Sequence, residues 1–142
     1  MSADLEKAKE ILAQTGSTCV LCRDDLVYTT AQRGVAPLLA WLNSGEDTCG
    51  FSAADKVVGR ATAYLYVLLG VKEVWAAVMS EAAAEVLARH GIAASQDRLV
   101  KHIINRQGTG ICPFEEAVLN IQTPEEALTA IREKMEKMNI TL

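Results

Sequence analysis

The chain has 142 residues, half of them hydrophobic but only 5% aromatic, and a formal net charge of −4. That length suits one domain over residues 1–142, with a core of Ala, Val, Leu and Ile rather than stacked rings. Its acids are dispersed and no basic block interleaves with aromatics, so nucleic acid is not an expected partner. No basic segment followed by an apolar run opens the chain. The apolar uncharged run Ala61–Val71 is about half a membrane span. A soluble cytoplasmic protein without a membrane partner is therefore expected, its four cysteines reduced thiols rather than a disulfide framework.

Residues 2–14 read as a first helix. Ser2 is the N-cap, Asp4 and Glu6 suit the first turn, and Leu5, Ala8, Ile11 and Leu12 form an apolar stripe. Ser17–Arg23 and Leu26–Thr30 read as two strands joined by Asp24-Asp25, a hairpin. Cys19 and Cys22 lie three apart on the first strand and so point to opposite faces, which argues against a redox or zinc C-x-x-C. Gly34–Asn43 predicts a short second helix with Leu38, Leu39, Trp41 and Leu42 apolar.

The next segment carries the sharpest signal. Cys49-Gly50-Phe51-Ser52-Ala53-Ala54-Asp55-Lys56-Val57-Val58-Gly59-Arg60 leads into the uncharged run, and its spacing predicts one long buried helix, Ser52–Leu69, with Ser52 as N-cap. Lys56 and Arg60, four apart, would then share one face near the positive end of a helix macrodipole. Two cations and free N–H groups there describe an anion site. Gly59 inside such a helix would mark close packing or ligand approach.

Val71–Met79 reads as a strand, and Ser80 caps a helix over Glu81–His90. Ile92–Ser95 suits a short strand. Asp97–Arg106 has Leu99, Val100, Ile103 and Ile104 at helical spacing, with a strand as the alternative. A glycine-containing loop precedes Cys112-Pro113-Phe114-Glu115, a helix opening with Pro at its first position. Thr123-Pro124-Glu125-Glu126 is a capping box for a last helix to about Met138. Helices and strands alternating after a hairpin imply a three-layer α/β/α sandwich with a mixed sheet.

That order of elements resembles the cytidine deaminase-like fold. In its zinc enzymes two helix starts face each other across the strand ends, one bearing His-x-Glu and the other Pro-Cys-x-x-Cys. The corresponding segments here, Ser52-Ala53-Ala54-Asp55-Lys56 and Met79-Ser80-Glu81-Ala82-Ala83, contain neither His nor Cys. The chain is similar to a metal-less, uncharacterised bacterial branch of that superfamily, through Ala54–Ala61, Asn105-Arg106 and Cys112–Glu115. The resemblance implies the fold but no reaction. It implies no metal and no cofactor, and disfavours zinc-dependent deamination.

The expected ligand is small and anionic or nucleotide-like, held by Asp55, Lys56 and Arg60, with Cys49, Ser52, Ser80, Glu81 and Arg106 as further binding candidates. Ser80 and Glu81 serve equally as an N-cap and a dipole-compatible acid. An enzyme would use Lys56 or Cys112 as nucleophile or base, with Asp55 or Glu115 as proton partner. A third reading is a non-catalytic interaction module or a homodimer, with Trp41, Leu42 and Trp75 on its face or simply in the core.

Overall fold

The computed structural model describes residues 2–105 and 107–140. Its elements run α1 (Ala3–Gln14), β1 (Cys19–Arg23), β2 (Leu26–Thr30), α2 (Ala36–Ser44), β3 (Ser52–Val58), α3 (Arg60–Leu69), β4 (Glu73–Ser80), α4 (Glu81–Arg89), β5 (Ala93–Val100), α5 (Pro113–Ala117) and α6 (Pro124–Lys137). One mixed sheet holds all five strands in the order β2-β1-β3-β4-β5. β1 is antiparallel to both β2 and β3, whereas β3, β4 and β5 run parallel.

Local signals set several boundaries. Ser2 Oγ accepts from Leu5 N at 3.1 Å, and Ser80 Oγ accepts from Ala83 N at 3.1 Å. Thr123 Oγ1 accepts from Glu126 N and donates to Glu126 Oε1, which caps the start of α6. Gly70 ends α3 in the left-handed region, φ 76°, and its N–H returns to Tyr66 and Val67 carbonyls.

Two expectations fail here. Ser52–Val58 is a strand, not the first turns of a helix, and α3 begins only at Arg60. β3 lies at the centre of the sheet between β1 and β4 with both faces covered, so Ser52 through Asp55 are all buried and show no alternation. Gly59 is extended (φ −102°, ψ −177°) and serves as the N-cap rather than a mid-helix residue. Asp97–Asn105 is not a helix either, and the strand alternative holds for its first part. Asp97 to Val100 belong to β5, the sheet edge, and Ile104 forms an isolated bridge with Ile111. An edge strand open on both faces also lacks alternation, which left the spacing of its apolar residues ambiguous.

The core has two parts. On one face of the sheet α1 lays Ala8 and Leu12 against Val20, Cys22 and Ala54. Trp75 packs there too, with Lys9 Nζ 4.6 Å from its ring centroid. On the other face α3 is central, flanked by α2, α4 and α6. Cys19, Leu21, Phe51, Tyr64, Leu65, Tyr66, Leu87 and Ile131 are buried in that cluster. Cys19 and Cys22 thus fall in opposite layers, as strand geometry requires. Trp41 tilts against Tyr28 at 6.3 Å, and Leu42 packs on the same core. No helix among the described residues is long and apolar enough to cross a membrane.

Leu65 is fully buried on α3. Leu65→Ala should lower unfolding free energy by about 2–5 kcal/mol, read from urea denaturation. A loss below about 1 kcal/mol would contradict the central place given to α3.

Candidate functional site

The strand-to-helix junction Val58-Gly59-Arg60-Ala61 is where the charged island divides. The free N–H groups of the α3 start are taken by the chain itself. The carboxylate of Glu115, on α5, accepts from Arg60 N at 2.7 Å and from Ala61 N at 2.8 Å. This is a cap delivered from 55 residues away. Gly59 permits it: a Cβ there would lie 2.5 Å from Glu115 Oε1, well inside contact distance. Burial pushes the Glu115 carboxyl above its ordinary range, and the two amides and the Arg60 charge pull the other way. The anion expected at a helix start is therefore an internal one.

Arg60 turns away from Lys56. Its Nη2 donates to Ile121 O at 2.6 Å and lies 3.3 Å from Tyr64 Oη, while Tyr64 Oη donates to the same carbonyl at 2.8 Å. Arg89 adds bonds to Tyr64 Oη and to Gln122 O. These side chains lash the α5–α6 connection to α3 and α4. The expected pairing of Lys56 with Arg60 on one helix face does not form, because Lys56 is on β3.

Asp55 lies elsewhere, beside β1 rather than beside a helix start. It is 8% exposed and pairs in register with Cys19, the first residue of β1. Tyr66, on α3, donates its hydroxyl to Asp55 Oδ2 at 2.6 Å, and the same hydroxyl is 3.0 Å from Cys19 Sγ. Val57 N reaches Asp55 Oδ1 at 3.4 Å. Burial raises the Asp55 pKa to about 6, with the Tyr66 hydroxyl and nearby amides opposing the shift. Burial also pushes the Cys19 thiol well up, reinforced by the Asp55 charge, and pushes the Tyr66 phenol up for the same reasons. Cys19 and Tyr66 are thus protonated donors around a carboxyl that gains or loses its proton near neutrality.

This cluster forms part of the wall of a cavity of about 280 Å³ between the paired ends of β1 and β3, the β2–α2 loop and α2. Thr18, Cys19 and Asp55 line it together with Gly34, Pro37 and Leu38, and Arg33 and Lys56 are also among its lining residues. Lys56 and Val57 are both exposed at the end of β3, next to the cavity that they help to line.

The other expected site residues scatter. Ser52 is buried at the opposite end of β3, where its hydroxyl donates to Glu73 Oε2 at 2.6 Å. Cys49 is exposed and packs on Gly70 at the C-terminal end of α3. Cys112 opens α5 without making a side-chain cap bond. Glu115, three residues on, sits at the N-terminal end of α3, and a ten-residue helix is about 15 Å long. Cys49 and Cys112 therefore do not pair. Ser80 is spent as the α4 cap, and Glu81 is exposed in its first turn. Arg106 lies outside the described residues. Neither helix start carries His or Cys, and among the described residues no three His, Cys, Asp or Glu side chains form a metal-binding group. The residues at the strand ends do not fit the zinc of the deaminase enzymes.

Sequence reasoning missed Cys19, Tyr66 and Arg33. The one available signal was Tyr66, a polar-tipped residue inside an otherwise uncharged run.

Fold and site together define an α/β protein with a five-stranded mixed sheet, flanking helices and a buried carboxyl beside a cavity. Over residues 7–135 the chain matches, and belongs to, the TM1506 family, a domain of unknown function (DUF1893). A solved structure with the same fold is a DUF1893 family protein, TM1506, from Thermotoga maritima. Its TM-score is 0.83 at 24% identity, over 96% of this chain and 92% of that one. No curated protein matches the chain.

The Gly59–Glu115 contact should behave as one unit. Glu115→Ala should cost about 1–2 kcal/mol. Gly59→Ala should cost at least about 1 kcal/mol more in the native background than in the Glu115→Ala background. Additive losses in denaturation would contradict the close approach.

Asp55 gives a pH signature with a definite sign. Its native pKa lies above the unfolded value, so its contribution is complete below about pH 4 and disappears as pH rises through about 6. The stability of the native protein relative to Asp55→Asn should fall by roughly 2–3 kcal/mol across that window and stay level above it. A difference that is flat, or that grows with pH, would contradict a buried carboxyl.

Proposed function

We propose that this protein binds a small anionic or nucleotide-like molecule in the Asp55 cavity. The observation that carries the reading is a carboxyl, nearly removed from water, on the wall of a cavity whose lining also includes Arg33 and Lys56. Asp55 would accept from an N–H or O–H of the ligand, and Lys56 and Arg33 would meet its negative group. The volume is at the low end for small-molecule sites, about 300–1,000 Å³. It suits a ring-sized portion inside, with the charged portion at the mouth. Arg60 has no part in this arrangement.

The same reading assigns the fold to the metal-less deaminase-like group. Support comes from α3 and α4, which follow the adjacent parallel strands β3 and β4 and so start side by side. A second reading is a metal-independent enzyme. The Asp55 pKa of about 6 favours it, because a carboxyl poised there can exchange a proton near neutral pH. Lys56 shares the cavity and would be its nucleophile or base, whereas Cys112 does not line it.

Isothermal titration with nucleosides, nucleoside monophosphates and inorganic phosphate tests the binding. Asp55→Asn and Lys56→Ala should each weaken binding of the responding ligand about tenfold, and Glu81→Ala should leave it unchanged. No binding by any member of the panel, or equal affinity in all three variants, would overturn the proposal.

A further inference from the structure

β5 is an outer strand of the sheet, paired on one side only, with β4. Six of its eight residues are exposed and the other two are half-buried. Parallel sheets are ordinarily covered on both faces, and a long open edge is ordinarily shielded. Here the edge instead presents Asp97, Arg98 and Leu99, with Lys101 the first residue beyond the end of the strand. Leu99 is 50% exposed, and none of the three charged residues has an ion-pair partner among the described residues.

We propose that a second copy of this chain occupies that edge, β5 against β5 in antiparallel pairing, so that the two sheets become one continuous sheet. Two adjacent antiparallel copies must be related by a two-fold axis perpendicular to the sheet, which keeps each residue on its own face. Directly opposed residues then have the same parity, and the charges decide among the registers. An axis at Asp97 opposes two carboxylates, an axis at Arg98 opposes two guanidinium groups, and an axis at Gln96 sets Asp97 against Ser95 and Arg98 against Ala94, leaving every charge unpaired. An axis at Leu99 places Leu99 against the partner's Leu99 and Asp97 against the partner's Lys101, twice by symmetry. That register removes an exposed leucine from water and satisfies two pairs of opposite charges. In this register Asp97 through Lys101 of each copy face one another, five residues a side, a small interface, so the dissociation constant is expected on the order of tens of micromolar.

Sedimentation velocity on the full chain from about 1 to about 200 µM tests this. The native protein should form dimers with rising concentration. Asp97→Lys and Lys101→Asp should each weaken association by roughly tenfold or more, since each places like charges opposite one another. The two together should bring it back to within about threefold of the native value. Leu99→Asp should abolish it. All these positions are exposed in the monomer, so folding is not at stake. A native protein that stays monomeric overturns the proposal. So does a dimer indifferent to the single reversals, or a double variant that fails to recover.

Discussion

Much of this structure depends on one missing methyl group. Gly59 lets the Glu115 carboxylate reach the first two amides of α3, and no residue with a Cβ could stand there without moving it. The contact joins the central helix to α5. Arg60, Tyr64 and Arg89 then fasten the connection that leads into α6. The layer that covers α3 is therefore held by polar groups at its rim as well as by Ile131 and Ala127 in its interior. Two charge-assisted bonds to helix amides form a substantial local tie for a small domain.

The same contact bears on the binding proposed for this protein. A helix start with free amides attracts anions, but this one already holds a carboxylate. The cation beside it is engaged with a backbone carbonyl. What remains available is the other half of the charged segment, Asp55 and Lys56, which the strand carries to a different place. Asp55 is turned toward β1 and α3, where Cys19 and Tyr66 surround it, and Lys56 stays in water. A buried carboxyl that must either hold a proton or lose stability is an expensive feature of a core, and cavities lined by such groups are where binding or proton transfer concentrates.

Signals confined to a few neighbouring residues were legible. Ser2, Ser80 and Thr123 mark helix starts through bonds within one turn, and the hairpin at Asp24-Asp25 pairs as its sequence implies. Signals that depend on surroundings misled. Ser52-Ala53-Ala54-Asp55 has the composition of a capped helix, yet pairing on both sides by β1 and β4 makes it a central strand. Leu99, Val100, Ile103 and Ile104 have helical spacing but are divided between an edge strand and the segment beyond it. At the site, a charged pair in apolar surroundings was visible in the sequence. Its partners were not, because Cys19 and Tyr66 approach Asp55 only through strand pairing and the return of α3. Gly59 and Glu115 were each conspicuous alone, and only the folded chain makes them neighbours.

The central claim is that Asp55, rather than the α3 start, is the chemically poised group of this protein. Carbon-13 NMR titration of the Asp55 carboxyl measures this directly. The account predicts a titration midpoint of about 6, with the Tyr66 ring and the Cys19 β-carbon sensing the same step. A midpoint near about 4, the ordinary value for a solvated aspartate, would contradict it.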